Sequence, residues 1–227
     1  MTPAPSPLPP LAEIVVLLHG VAMPALVMRP LARRIESAGY RTVNLPYSSR
    51  SLTCEQLARK YLPEQLCLHG TALAPRLHFV AHSMGGLIVR LYLQEHRPKN
   101  LGRIVLLGPP NAGSPVADRL NRSALWRWLI GSNLSRLGAA TPDALAPTLI
   151  PPDYEVGVIA GCASLHPFFS RWLSGAHDGM VTVASTRLAG ASDFLVMPHS
   201  HTAMLWRQTV AAEVLSFLRT GRFQPPA

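Results

Sequence analysis

Ser83 stands in Ala81-His82-Ser83-Met84-Gly85-Gly86, between the apolar run Leu77–Ala81 and a stretch of helical spacing that begins near Met84. A serine hydroxyl becomes a nucleophile when a base can take its proton and when a sharp strand-to-helix turn presents it. Such a turn crowds the residues two before and two after the serine, so both must be small. Here they are Ala81 and Gly85. The pattern G-x-S-x-G has glycine where this chain has Ala81, a difference of one methyl group. A glycine-rich phosphate loop is the competing reading. It needs a lysine followed by serine or threonine at the loop's end, and neither is present.

Serine also requires a histidine to accept its proton, and the imidazole requires a carboxylate to fix its tautomer. Behind a nucleophile of this type the partners follow in the order acid, then histidine. Ala176-His177-Asp178-Gly179 follows an expected strand at Glu155–Ala160, and Pro198-His199-Ser200-His201-Thr202 follows another at Asp193–Met197. Asp178 is the preferred acid: Asp153 precedes its strand, Asp143 lies in a strandless segment and Asp193 opens a strand. His201, at the entry to the last helix, is preferred as base over its rival His199. The other histidines read as structural, with His78 in a strand, His96 at a helix end, and His69 and His166 in loops. His82 adjoins the nucleophile, but its ring is expected to point away from the hydroxyl.

Acyl chemistry at Ser83 would build an oxyanion, which needs two amide donors. The amide of Met84, at a helix N-terminus, is one. The loop His19-Gly20-Val21-Ala22 offers the other, with Val21 N–H as the candidate. Gly20 lets that loop turn, and His19 is expected to hold it by hydrogen bonds.

These groups need a scaffold. The chain has 227 residues, 48% apolar and 15% charged, enough for one folded domain over 1–227. Short apolar runs alternate with amphipathic stretches, which implies an α/β fold with a mostly parallel six-stranded sheet and helices on both faces. The expected strands are Glu13–Leu18, Arg41–Leu45, Leu77–Ala81, Arg103–Leu107, Glu155–Ala160 and Asp193–Met197. The expected helices are Ala25–Ser37, with Leu26, Leu31 and Ile35 facing inward, then Leu52–Leu66 kinked near Pro63, Met84–His96 and Thr202–Leu218. From Ala112 to Pro152 the rhythm fails, leaving only helical pieces such as Ala124–Ile130. This insertion is expected to cap the carboxyl ends of the strands, where ligands bind in open α/β sheets. Residues 1–12, rich in proline, read as a flexible lead-in without a signal-peptide pattern.

Composition excludes several classes. No apolar run approaches the ~20 residues of a membrane helix. The charge of +9 is scattered, with Arg33-Arg34 the only adjacent basic pair and lysine only at Lys60 and Lys99. Nucleic-acid binding is therefore not expected. Cys54, Cys67 and Cys162 lack metal-ligand spacing and read as reduced packing residues, consistent with a cytoplasmic setting.

On these residues the chain resembles the α/β-hydrolase superfamily, and within it small bacterial lipases and esterases that carry Ala-His-Ser-Met-Gly, as Ala81–Gly85 does here. The resemblance runs from Ile14 to Phe223. It includes Leu18-His19-Gly20 and Gly108–Pro115, the latter similar to a segment that borders the acyl pocket. It implies a minimal fold without the first two strands, although Ala112–Pro152 matches no known lid. It also implies an esterase or lipase acting on a small acyl ester or lipid, through Ser83, His201 and Asp178 and without cofactor or metal. Transient contact with a lipid surface is a further expectation, and oligomeric state is left open. Leu125, Trp126, Trp128, Leu129 and Ile130 are candidates for an acyl site. Alternatives are thioesterase, phospholipase or acyltransferase activity at the same triad, a metal site from His177, Asp178, His199 and His201, and a binding module without catalysis.

Overall fold

The computed structural model describes residues 11–165 and 167–224 of the chain. His166 and all of the expected lead-in except Leu11 and Ala12 lie outside the described residues. Among these, six parallel strands form one sheet in the order β2-β1-β3-β4-β5-β6. They are β1 (Ile14–Leu18), β2 (Arg41–Asn44), β3 (Leu77–His82), β4 (Leu101–Leu107), β5 (Val156–Gly161) and β6 (Asp193–Met197). Every residue of β1, β3 and β5 is buried. Strands enclosed on both faces must be covered by helices on both sides, which is why they read as continuous apolar runs.

Alternation along the strands divides the core in two. Val16, Leu18, Phe79, Ala81, Ile104 and Leu106 face a layer that contains Leu57, Leu62, Leu87 and Ile88. These come from a helical run at 54–68 (α2) and from α3 (Met84–Glu95). Val15, Leu17, Val80, Val105 and Leu107 face Leu31, Ile35, Val210, Val214 and Phe217, carried by α1 (Arg29–Ser37) and, at the chain's end, Gln208–Thr220. Strand order reverses between β1 and β3, so a crevice opens at their carboxyl ends.

The expected elements are all present, with informative departures. The helix expected over Ala25–Ser37 starts as a 3₁₀ turn, Ala25–Met28. Its tighter pitch turns Leu26 outward, 64% exposed, and Met28 inward in its place. In α2 a five-residue π segment, Leu57–Tyr61, ends two residues before Pro63. Proline has no N–H for the ordinary bond to residue i−4, and the ladder widens there. The last helix is not continuous from Thr202. A 3₁₀ turn, Ala203–Trp206, is separated from Gln208–Thr220 by extended backbone at Arg207. The Trp206 indole N–H donates to the Val27 carbonyl (3.2 Å) and links this break to the 3₁₀ turn before α1. Of the cysteines only Cys54 is buried; Cys67 and Cys162 are exposed and are not packing residues.

Between β4 and β5 lie α4 (Pro115–Asn121), α5 (Ala124–Ile130) and α6 (Asn133–Arg136). Val116, Leu120, Leu134 and Leu137 join the core on the α2 and α3 side, and Asn133 ties the segment down through bonds to Ser49, Leu52 and Cys54.

Phe217 is fully buried and stacks near Phe223 (centroids 5.0 Å apart). It fills the space over Gly157, where a Cβ would come within 2.6 Å of its ring. Phe217→Ala is expected to cost about 3–5 kcal/mol in urea unfolding; a loss below about 1 kcal/mol would contradict this packing.

Candidate active site

Ser83 is the hinge between β3 and α3. Its N–H donates to the Leu107 carbonyl (2.9 Å) and its own carbonyl accepts from Gly86 N–H (2.9 Å). Between these anchors its backbone sits at φ 53°, ψ −123°, a region that costs a non-glycine residue about 1–3 kcal/mol. Gly85 explains how the turn closes. A Cβ there would lie 2.8 Å from the carbonyl oxygens of both Leu18 and His19, so only glycine lets α3 begin against the end of β1. The first amides of α3 have no partner within the helix, and its N-terminal dipole favours negative charge beside Ser83.

His201 and Asp178 meet behind this turn. The Nδ1–H of His201 donates to Asp178 Oδ2 (2.6 Å), with both side chains buried. Asp178 Oδ1 accepts from the amides of Met180 (2.9 Å) and Val181 (2.8 Å), so both its oxygens are used. Burial pushes the Asp178 carboxyl up, but charge attraction and hydrogen bonding from His201 and those two amides outweigh it. The net direction is down, and Asp178 is a carboxylate. With Nδ1 committed, Nε2 is the nitrogen left to act as base, and His201 lines the same cavity as Ser83.

The rivals point elsewhere. His199 Nε2 meets Thr209 Oγ1 (3.0 Å), Asp153 pairs with Arg97, and Asp193 accepts from the amides of Phe194 and Phe223. His177 Nδ1 accepts from the Gly179 amide. Among the described residues no group of three or more His, Cys, Asp or Glu side chains is placed to hold a metal ion.

The loop after β1 is held from behind. His19 Nδ1–H donates to the Gly20 carbonyl (2.8 Å), and Tyr47 stacks on the imidazole (3.9 Å between centroids) while its hydroxyl donates to the His19 carbonyl. A trans peptide aims its N–H opposite its C=O. Turning the Gly20 carbonyl toward His19 therefore sends the Val21 N–H the other way. Ala22, at φ 53°, is kept in the left-handed region by its amide's bond to Ser49 Oγ (2.8 Å). Tyr47 and Ser49 had no signal in sequence, because their roles depend on a loop after β2 folding back under β1.

The residue before Ser83 has partners that the sequence did not signal. His82 Nε2 meets the His201 carbonyl (2.9 Å), and its ring lies 4.6 Å from that of His201. Burial, with a smaller contribution from the facing His201, pushes it down to about 3, so it is neutral.

The cavity has a volume of about 180 Å³. Ser83, His201 and Val21 line it together with Ala117, Leu120, Ile130, Leu134 and Leu137, apolar residues that all come from the segment between β4 and β5. Of the five acyl-site candidates on α5, only Ile130 lines it. Leu125, Trp128 and Leu129 are 61%, 65% and 41% exposed, while Trp126 is half-buried against the core. Helix α5 presents one edge to the cavity and most of its circumference to solvent.

A family model described as alpha/beta hydrolase fold matches residues 13–135, more than half of the chain. No curated protein matches the sequence. Among solved structures, the mature form of the lipase BlEst2 from Bacillus licheniformis is similar with a TM-score of 0.69 at 19% identity, over 95% of this chain and 94% of that one. Phospholipase PlaB from Legionella pneumophila, in complex with thio-NAD, has a TM-score of 0.60 at 21% identity, over 77% of this chain and 44% of that one. A metagenomic carboxyl esterase has 0.59 at 20% identity, over 89% and 69%. At such identities the likeness shows the fold.

The buried imidazoles make stability pH-dependent. His19, His78 and His82 are all held below the ordinary histidine value, chiefly by burial. Unfolding lets them protonate near pH 6.5, so stability declines as pH falls below that value. His82, faced by His201, Asp178 and His19, contributes until its folded value of about 3. His82→Phe is expected to flatten the decline of unfolding free energy between pH 6 and pH 4.5 by about 1.4 kcal/mol per pH unit. Unchanged slope would show that this ring is not held neutral.

Proposed function

The chain belongs to the α/β-hydrolase fold family, and from that premise we propose that it is a serine hydrolase that cleaves carboxylic esters. The observation that carries this reading is the buried Asp178–His201 pair at 2.6 Å beside a serine with strained backbone. In the proposed reaction His201 Nε2 takes the Ser83 proton as Oγ bonds to the ester carbonyl carbon. The resulting oxyanion accepts from the amides of Val21 and Met84. Collapse breaks the bond to the alcohol oxygen, which leaves with the proton from His201. Water, deprotonated by the same imidazole, then attacks the acyl-enzyme and releases the carboxylic acid. Asp178 fixes the tautomer and stabilises the imidazolium.

Cavity size sets the acyl group. A cavity of about 150 Å³ accommodates benzene, so the observed 180 Å³ suits an acyl chain of about four to six carbons. The wall from the segment between β4 and β5 supplies apolar contact along that chain.

With p-nitrophenyl esters, Ser83→Ala is expected to lower kcat by about 10⁴-fold or more; retention of activity would remove Ser83 from the reaction. Across the ester series, kcat/KM should peak at butanoate to hexanoate and fall at least about tenfold for decanoate. Ile130→Ala should move that optimum to longer chains. A flat profile, or an optimum unmoved by Ile130→Ala, would contradict the assignment of this cavity to the acyl group. Parallel thioester and lysophospholipid substrates separate the ester reading from its relatives.

A further inference from the structure

We propose that His82 is a positioning residue for His201: its Nε2–H, donated to the His201 backbone carbonyl, fixes the base loop to the residue next to the nucleophile. The inference rests on the triad reading above and extends it to a side chain that takes no part in bond making.

Three contacts hold His201. Its N–H donates to the Asp178 carbonyl (3.0 Å), its Nδ1–H to Asp178 Oδ2 (2.6 Å), and its carbonyl accepts from His82 (2.9 Å). The first two come from the acid loop and the third from the end of β3. Only the third joins the base directly to the strand that carries Ser83. His82 is fully buried at the last position of that strand, and Ser83, next in the chain, is fixed by strand hydrogen bonding and by its own unusual backbone. The donor therefore stands at a set place relative to the Ser83 hydroxyl. A displacement of about 1 Å between reacting groups can cost about 10²-fold in rate.

The chemistry of the ring fits this task. Facing a carbonyl, Nε2 must carry the proton. Nδ1 is then an acceptor, and it is buried without a partner. The oxyanion loop approaches the ring from its other side: a Cβ added at Gly20 would lie 3.1 Å from Nδ1 and 3.1 Å from the Ser83 Cβ, so glycine permits the approach. Neutrality matters as well. A charged ring 4.6 Å from His201 would oppose the imidazolium that the reaction must form there. Burial keeps His82 uncharged down to its folded value of about 3. One side chain thus touches the base by hydrogen bond and the oxyanion loop by packing.

The test compares His82→Phe, which keeps a ring without a donor, with His82→Gln, which restores an N–H at similar reach. With p-nitrophenyl butanoate, His82→Phe is expected to lower kcat by about 10–100-fold with KM within about twofold of wild type. His82→Gln should recover most of that loss. A folded His82→Phe with kcat within about twofold of wild type, a loss confined to KM, or a Gln variant as slow as Phe would each overturn the proposal. Nitrogen-15 NMR of the wild-type histidines supplies an arm that needs no variant. It should show His82 protonated at Nε2 and not at Nδ1 from pH 5 to pH 8, and a ring that titrates in that range would also overturn it. Turnover that persists in Ser83→Ala would instead overturn the triad reading, so the two failures are distinct.

Discussion

The close approach of α3 to the end of β1 governs the rest of the site. Gly85 lies where any side chain would strike two backbone carbonyls, and it is those carbonyls, at Leu18 and His19, that lead into the loop after β1. The same contact forces the chain through φ 53° at Ser83. Strain of about 1–3 kcal/mol persists only where the surroundings over-determine it, and here they do. Ser83 is bonded to β4 on one side and to the first turn of α3 on the other. The turn thus brings a hydroxyl, a helix N-terminus and the loop after β1 together without a flexible element.

The partners of the serine are assembled from farther away and by different means. The loop that carries Asp178 follows β5 and the loop that carries His201 follows β6, so the parallel order of the strands delivers both to the same rim. Gly108 shows how tightly they are gathered there. At φ 55°, it lies where a Cβ would come within 3.1 Å of both Asp178 Oδ2 and His201 Nδ1. A side chain after β4 would wedge into the pair. The segment between β4 and β5 then supplies the apolar wall, anchored in the core by Leu134 and Leu137 rather than resting on the surface.

Much of this was legible in the sequence because it depends on local spacing. The strands announced themselves as apolar runs, and α5 matches its expected span, Ala124–Ile130, residue for residue. Asp178 was separable from Asp153 by its position after a strand, and His201 from His199 by its place at the entry to the last helix; in the structure Asp178 and His201 pair at 2.6 Å, while Asp153 meets Arg97 and His199 meets Thr209. Other features could not be read, for physical reasons. Leu26 has an inward-facing spacing only if the helix has α pitch from its first residue, and the 3₁₀ turn removes that condition. The break at Arg207 involves neither glycine nor proline; beside it stands a tertiary bond between Trp206 and Val27, which leaves no local pattern. The apolar side chains of α5 looked like a binding surface, but which edge meets the cavity depends on how the segment folds back. His82, Tyr47 and Ser49 act through carbonyls, amides and stacking between distant loops, and such pairings leave no pattern along the chain.

The central claim is that the Ser83 hydroxyl, the His201 imidazole and the amides of Val21 and Met84 surround one reacting carbonyl. The most direct measurement is a crystal structure of the protein inactivated by an alkyl fluorophosphonate, whose phosphorus mimics the tetrahedral carbon. The account expects phosphorus bonded to Ser83 Oγ, a phosphoryl oxygen accepting from both amides, and His201 Nε2 beside the serine oxygen. An adduct on another residue, or a phosphoryl oxygen turned away from those amides, would contradict it.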